Sequence, residues 1–153
     1  MNKSRKGQGL EQFFHEQIPL TRAMGLRVGS SSPNCFTLEA AVALNHNHLH
    51  TAFGGSINAV ATLAGYGLLW QELEQTAQLV ISASSIRFLK PVRETIRAIC
   101  VQPRPECMET FRDDFKQHGK ARITLTVRVE ENERLAAEFG GTFVAMKKTP
   151  APE

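Results

Sequence analysis

Hydrophobic and polar positions change period several times along the chain, and each change predicts one element. Leu10, Phe13, Phe14 and Ile18 recur at helical spacing before Pro19, which predicts a short docking helix. Alternating residues on both sides of a turn at 30–34 then predict a β-hairpin. In the segment 45–73, apolar residues cover most sides of a helix, so this helix must be enclosed by the rest of the protein.

The second half of the chain predicts four strands and one small helix. The strands are expected at 79–89, 95–101, 123–129 and 135–146. Met108, Phe111 and Phe115 follow the i, i+3, i+7 spacing of an amphipathic helix that Gly119 closes. Gly140-Gly141 predicts a bulge or a close approach of another group.

This order of elements predicts an α+β protein with the hot-dog fold, in which an antiparallel sheet wraps around a long central helix. We expect a single domain over residues 1–153, with its core at about 20–148 and flexible tails at 1–8 and 149–153. One copy would leave one face of the sheet uncovered, so we expect a homodimer or a dimer of dimers.

Composition agrees with one small globular domain. The chain has 153 residues, of which 42% are hydrophobic, and 18 basic against 15 acidic residues give 18 − 15 = +3. This mild excess is spread along the chain and does not indicate nucleic acid binding. The N-terminus lacks the apolar run of a signal peptide, and the central segment is too interrupted to span a bilayer, so we expect a cytoplasmic protein without membrane contact.

Cysteine usage indicates a reducing compartment. Cys35, Cys100 and Cys107 are odd in number and form no Cys-x-x-Cys pair, so neither a disulfide framework nor a zinc site is indicated. We expect all three to be small buried hydrophobic residues.

The strongest candidate site lies where the central helix begins. Gly54-Gly55 lets the backbone approach a ligand closely, and Ser56 can help to cap the helix. The backbone N–H groups of Gly55 and Ser56 would point out of the helix start, where the helix dipole favours negative charge.

Three histidines precede this helix, at His46, His48 and His50. Their alternation would place them on one side of an extended segment, as in a metal site, but no carboxylate or cysteine lies nearby to complete one. Solvated loop histidines are the simpler interpretation, no metal is predicted, and one histidine could serve as a proton donor. A Ser56 nucleophile is disfavoured because Gly-Gly-Ser-Ile-Asn differs from Gly-x-Ser-x-Gly.

The string Asn45-x-Asn47 followed by Thr51-Ala52-Phe53-Gly54-Gly55-Ser56 resembles a hot-dog thioesterase motif over roughly residues 20–148. In that motif an Asn precedes a Phe-Gly-Gly or His-Gly-Gly by six residues. The fuller string is similar to a narrower family, the YiiD C-terminal-like thioesterase domain. This domain occurs alone in some proteobacteria and behind an acetyltransferase domain in others. Its members are linked with malonyl-acyl-carrier-protein decarboxylation at the start of fatty acid biosynthesis.

The chain departs from the broader pattern at Thr62, nine residues after Phe53, where hydrolases of this type carry Asp or Glu. No acid occurs between Glu39 and Glu72. Hydrolysis needs a group that activates water, whereas decarboxylation needs donors that bind the thioester oxygen as it becomes an enolate. The resemblance therefore implies a malonyl-acyl-carrier-protein decarboxylase. An acyl-CoA or acyl-carrier-protein thioesterase and a non-catalytic acyl-thioester binding domain are the alternatives.

The resemblance and the residue types together nominate a set of site residues. The expected catalytic residues are Asn45, Asn47, Gly55 and Ser56. The expected substrate-binding residues are His46, His48, Phe53, Gly54, Thr62, Tyr66 and Ser84.

No cofactor is expected beyond the phosphopantetheine arm that coenzyme A or acyl carrier protein brings with the substrate. A basic surface could bind an acidic carrier protein. Its predicted members are Arg87, Lys90, Arg93, Lys147 and Lys148.

Overall fold

A six-stranded antiparallel sheet wraps around one long helix in the structure, a computed structural model that describes residues 5–73 and 76–149. The strands are β1 (Arg27–Ser32), β2 (Cys35–Ala41), β3 (Ala77–Phe88), β4 (Thr95–Val101), β5 (Lys120–Glu131) and β6 (Arg134–Lys147), in the order β1-β2-β4-β5-β6-β3. The helices are α1 (Arg5–Gln17), α2 (Pro19–Ala23), α3 (Gly54–Leu73) and α4 (Pro105–His118). The predicted α+β hot-dog fold is confirmed.

The central helix α3 is enclosed because aromatic rings from the sheet reach its backbone. A Cβ atom added to Gly65 would lie 2.6 Å from Cζ of Phe143, and one added to Gly67 would lie still closer to the ring of Phe36. Phe36 and Phe143 are themselves buried. The two glycines each cost about 1 kcal/mol of helix propensity, and they allow a contact that no larger residue would permit.

Strand β5 shows how the sheet separates core from solvent. Its residues from Ala121 to Val129 alternate between buried and exposed, as the period-2 pattern predicts. The exposed positions carry polar side chains, namely Arg122, Thr124, Thr126 and Arg128. The outer face of this strand is therefore polar and exposed to solvent.

The Gly140-Gly141 pair of β6 does not form a bulge. Where β6 pairs with its neighbours, the register irregularities lie instead between Ile81 and Ala83 of β3 and between Val129 and Glu130 of β5. The alternative prediction, a close approach, is correct for Gly141, where a Cβ atom would lie 2.8 Å from Cε1 of Phe139.

The N-terminal helix begins earlier in the chain than the hydrophobic pattern predicts. Helix α1 begins at Arg5, inside the predicted tail 1–8, and its Leu10 and Phe14 belong to the buried core. The core therefore extends beyond the predicted range 20–148. The remaining parts of the predicted tails, residues 1–4 and 150–153, lie outside the described residues. Within the described ranges, no helix is long and apolar enough to cross a membrane.

The cysteines occupy three different environments. Cys100 is buried, and its burial raises the pKa of the thiol to about 12. Cys35 is half-buried, whereas Cys107 is exposed on α4. The expectation of three buried thiols is correct only for Cys100, because the polar face of the amphipathic α4 places Cys107 in solvent.

Replacing Gly67 with alanine should lower the free energy of unfolding by about 2 kcal/mol, because the new methyl group would displace the buried ring of Phe36. Gly9→Ala is the matched control, since nothing lies within 4 Å of a Cβ atom there. That variant should gain up to about 1 kcal/mol from helix propensity. Urea titration measures both changes, and equal effects at the two positions would contradict the close contact.

Candidate functional site

A cleft of about 330 Å³ lies at the start of α3. One wall is formed by Gly54 and Ile57 of the helix and the other by residues 88–92, which begin with the last residue of β3. The backbone N–H groups of Leu89 and Lys90 donate to the carbonyl oxygen of Ala136, at 2.8 and 3.0 Å. These bonds anchor the second wall of the cleft to β6.

The first turn of α3 presents unused hydrogen-bond donors. Ile57 N donates to Phe53 O at 3.0 Å, the first bond of the helix, while Phe53 N donates to Asn45 O at 2.7 Å. In the part of the chain that the structure describes, the N–H groups of Gly54, Gly55 and Ser56 have no hydrogen-bond partner. Such N–H groups attract anions and developing negative charge.

Ser56 does not cap the helix as predicted. Helix α3 begins at Gly54, so Ser56 lies inside the first turn, and its hydroxyl makes no hydrogen bond to any described residue. Phe53 holds the position before the helix, where its side chain offers no acceptor. The helix start consequently keeps its donors free.

The glycine pair at the helix start makes room for two aromatic rings. A Cβ atom on Gly54 would lie 3.3 Å from Cζ of Phe88, and one on Gly55 would meet the ring of Phe53. Both rings are about half exposed, with 56% of Phe53 and 55% of Phe88 accessible to solvent. The free N–H groups thus lie between apolar surfaces on which an acyl chain could pack.

Asn45 is a buried residue whose amide hydrogens are both in use. Its Nδ2 donates to the carbonyl oxygens of Met24 and Ala41, at 2.9 and 2.8 Å. In this arrangement the side chain ties the loop before α3 to α2 and β2, and it has no hydrogen left for a substrate. Its predicted catalytic role stays a prediction, and the geometry favours a positioning role.

Asn47 closes the loop that follows. Its Oδ1 accepts from the backbone N–H groups of Leu49 and Thr51, at 2.9 and 3.2 Å, and its Nδ2 donates to Oγ1 of Thr51 at 3.0 Å. Its second amide hydrogen has no partner among the described residues. Asn47, rather than Asn45, therefore has a side-chain donor to spare.

The three loop histidines are exposed. The ring of His46 lies 5.0 Å from that of His50, and its Nδ1 is 2.9 Å from the carbonyl oxygen of Asn47. Across residues 5–73 and 76–149, no three His, Cys, Asp or Glu side chains come together in a way that could hold a metal ion. His46 and His48 remain predicted substrate-binding residues.

Three predicted pocket residues lie away from the cleft. The hydroxyl of Thr62 donates to the carbonyl oxygen of Asn58 at 2.8 Å. Tyr66 packs against Phe14, with ring centroids 5.7 Å apart, and burial raises the pKa of its hydroxyl. Ser84 is exposed on β3. In a single copy of the chain, Phe53, Gly54, Gly55 and Ser56 lie together at the start of α3. Thr62, Tyr66 and Ser84 do not join them there.

The predicted basic surface divides into two parts. Arg87 and Lys90 lie at the C-terminal end of β3, whereas Lys147 pairs with Ala77 at the other end of that strand. The twelve residues of β3 span roughly 35 Å, so Lys147 and Lys148 cannot join the first group. Arg87 also forms an ion pair with Glu138, at 3.9 Å.

The sequence did not predict the second wall of the cleft, nor the side chain that holds the segment after it, residues 93–95. The carboxylate of Glu131 accepts the backbone N–H groups of Arg93, Glu94 and Thr95, at 2.8 to 3.3 Å. Burial opposes ionisation of Glu131, but these bonds and the charge of Arg93 outweigh it and lower the pKa of its carboxyl group. No local pattern signals a contact between residues almost forty positions apart.

Comparison with known families shows which family the chain belongs to. A sequence model of the family described as "Putative thioesterase (yiiD_Cterm)" matches residues 7–147. The chain belongs to this family. A crystal structure of a protein of unknown function from Chlorobaculum tepidum is 30% identical, with a TM-score of 0.84 over 93% of this chain and 94% of that one.

Two further solved structures share the fold of this chain. A putative thioesterase from Shewanella oneidensis is 29% identical, with a TM-score of 0.82 over 92% of this chain and 97% of that one. A thioesterase from Haemophilus influenzae has a TM-score of 0.72 over 95% of this chain and 93% of that one, and at 16% identity it shows the shared fold alone.

Replacing Asn45 with alanine should lower the free energy of unfolding by about 2 to 3 kcal/mol, because it leaves the carbonyl oxygens of Met24 and Ala41 without donors. Thermal and urea unfolding measure the change. Ser56→Ala, which removes a hydroxyl without a hydrogen bond, is the control and should change stability by less than about 0.5 kcal/mol. An Asn45→Ala protein as stable as the parent would contradict the positioning role.

Proposed function

We propose that this protein is an enzyme acting on acyl thioesters, and that it converts malonyl-acyl-carrier-protein to acetyl-acyl-carrier-protein and carbon dioxide at the start of fatty acid biosynthesis. The supporting observation is the set of unused N–H groups at Gly54, Gly55 and Ser56, beside a cleft whose walls contain no carboxylate. The proposed reaction would take place in the cytoplasm.

The chemistry requires a site for negative charge on oxygen. When the bond between the carboxylate carbon and the α-carbon breaks, carbon dioxide leaves and its bonding electrons form an enolate of the thioester. The N–H groups of Gly55 and Ser56 would donate to the enolate oxygen, and the free amide hydrogen of Asn47 could add a third donor. A proton then adds to the α-carbon to give the acetyl thioester, with His46 or His48 as candidate donor.

The ionisable groups of the cleft favour decarboxylation over hydrolysis. Among the residues that line it, Lys90 is the one with a charged side chain, and a cation there would attract the carboxylate of a malonyl group. The hydroxyl of Thr62, at the position where related hydrolases carry an acid, is bonded to its own helix. A base able to activate water would have to come from a histidine.

Thioester hydrolysis is the second candidate because the Shewanella oneidensis relative is described as a putative thioesterase. The same N–H groups would bind the oxygen of a tetrahedral intermediate in hydrolysis. A non-catalytic acyl-thioester binding domain would use the same cleft without either reaction. The three functions leave different products on the carrier protein.

We also propose that the protein acts as a homodimer joined through β3. This strand pairs with β6 on one side, and no described strand pairs with its other side. Its Val80 and Ile81 are exposed, at 47% and 38%. A long apolar edge strand is a ready surface for pairing with a second copy. Such pairing would bring the partner's β3 beside Ser84.

Incubation with malonyl-acyl-carrier-protein should yield acetylated carrier protein. Mass spectrometry of the intact carrier identifies this product because it is lighter than the malonyl form by about 44 Da, the mass of one carbon dioxide, whereas the free thiol has lost the whole malonyl group. Removing the N–H of residue 56 with Ser56→Pro should lower kcat by about 100-fold to 1,000-fold, since one oxyanion donor is worth about 3 to 4 kcal/mol.

Ser56→Ala is the matched control because it keeps the N–H and removes only the hydroxyl. It should lose far less activity than Ser56→Pro, with circular dichroism confirming that both variants keep the fold. Free thiol as the main product would identify a hydrolase, and unchanged substrate a binding domain.

Introducing charge on the free edge should dissociate the dimer. In the double variant Val80→Lys, Ile81→Lys, like charges would face each other across a two-fold axis, which costs several kcal/mol and should weaken dimerisation by about 100-fold or more. Light scattering measures the mass in solution. Val101→Lys, which changes an exposed apolar residue at the end of β4, is the control and should remain dimeric. A parent protein that is monomeric would overturn the proposal.

A further inference from the structure

A second cavity adjoins the cleft at the start of α3. It has a volume of about 540 Å³, and Lys90 and Pro91 line both cavities. Its other walls come from Arg93, which follows the cleft wall, and from the turn between β5 and β6. A ligand could therefore extend from one cavity into the other.

Three cations surround this second cavity, and we call Lys90, Arg93 and Arg134 the cation cluster. In the described part of the chain, none of the three lies within 4.0 Å of a carboxylate oxygen. Nearby Arg87 differs, because it pairs with Glu138. The cation cluster thus retains charge that is available to an anionic ligand.

The one acidic side chain in the cavity wall, Glu131, offsets only part of the charge of the three cations. The carboxylate of Glu131 is occupied by the backbone N–H groups of residues 93–95, and it approaches Arg93 without forming an ion pair. Its role is to hold the backbone beneath Arg93. A preorganised backbone reduces the entropy lost when a ligand binds.

The opposite side of the cavity is equally fixed. Arg134 is the first residue of β6 and pairs in register with Glu131 across the turn. Asn132 and Glu133 adopt left-handed conformations in this turn, with φ of 51° and 62°. The tight turn therefore presents Arg134 beside the backbone that carries Arg93.

We propose that the two arginines of the cation cluster, Arg93 and Arg134, bind the phosphate group of the phosphopantetheine arm of the substrate, an inference that rests on the proposed acyl-thioester function. The arm carries the thioester at one end and a phosphate at the other, which matches an acyl cleft that continues into a cationic cavity. Arginine side chains bind phosphate oxygens through paired hydrogen bonds. Coenzyme A and acyl carrier protein share this phosphate, so either can supply it.

Calorimetric titration with 4′-phosphopantetheine and with pantetheine tests the proposal directly. The parent protein should bind the phosphorylated compound at least about 10-fold more tightly, a difference of about 1.4 kcal/mol. The double variant Arg93→Gln, Arg134→Gln should lose this preference while binding pantetheine unchanged. Arg122→Gln, on the outer face of β5, is the matched control and should keep it.

Binding that does not distinguish the two compounds would overturn the proposal. Because titration needs no turnover, a phosphate preference without any turnover would support the cation cluster and reject the proposed enzyme. Turnover of malonyl thioesters without a phosphate preference would support the proposed enzyme and reject phosphate binding by the cation cluster.

Kinetics then separate the two sources of the phosphate. If the double variant raises KM for malonyl-CoA, for malonyl-acyl-carrier-protein or for both, while KM for malonyl-pantetheine stays constant, the affected substrate identifies the source. An equal rise for malonyl-pantetheine would contradict phosphate recognition. A melting temperature of the double variant equal to that of the parent protein excludes a loss of fold.

Discussion

The contact between the backbone of α3 and the aromatic rings of the sheet fixes the helix at whose start the candidate site lies. Gly65 and Gly67 let Phe143 and Phe36 reach the helix itself, so no flexible side chain separates helix from sheet. The position of the helix start relative to the strands is consequently fixed. Hydrogen-bond donors stabilise charge on a reacting oxygen only when they are already in place, and this enclosure holds the N–H groups at residues 54–56 in place.

The loop before α3 is held by the same polar residues that suggest catalysis in the sequence. Asn45 ties the loop to Met24 and Ala41, and Ala52 N donates to the carbonyl oxygen of Val92 at 2.8 Å. Counting amide hydrogens separates the two asparagines, because Asn45 uses both of its hydrogens and Asn47 uses one. A short sequence motif can therefore contain a residue that acts by positioning the backbone close to one that is free to bind a ligand.

The sequence predicted the fold well because hydrophobic periodicity is a local signal. The bounds of β4 agree with the prediction, and the alternation in β5 marks its buried face correctly. The candidate site was predicted only in part. Its helix start follows from Gly54-Gly55, but the opposite wall depends on bonds from Leu89 and Lys90 to Ala136, which no local pattern reveals. The glycines themselves accommodate Phe88 and Phe53, a reason that becomes visible only in three dimensions.

The arrangement of charge around the cleft bears on the choice between reactions. Decarboxylation and hydrolysis both place negative charge on the thioester oxygen, so free N–H groups at a helix start would serve either one. The reactions differ in the other groups that they need. Hydrolysis requires a base that activates water. Decarboxylation requires that the carboxylate of the substrate bind and then lose its charge as carbon dioxide leaves. A cleft bordered by Ile57, Phe88 and Leu89 solvates a localised carboxylate poorly, and Lys90 can still attract it. Loss of carbon dioxide would transfer the charge from this apolar surface toward the N–H groups, which favours the enolate over the bound malonyl group.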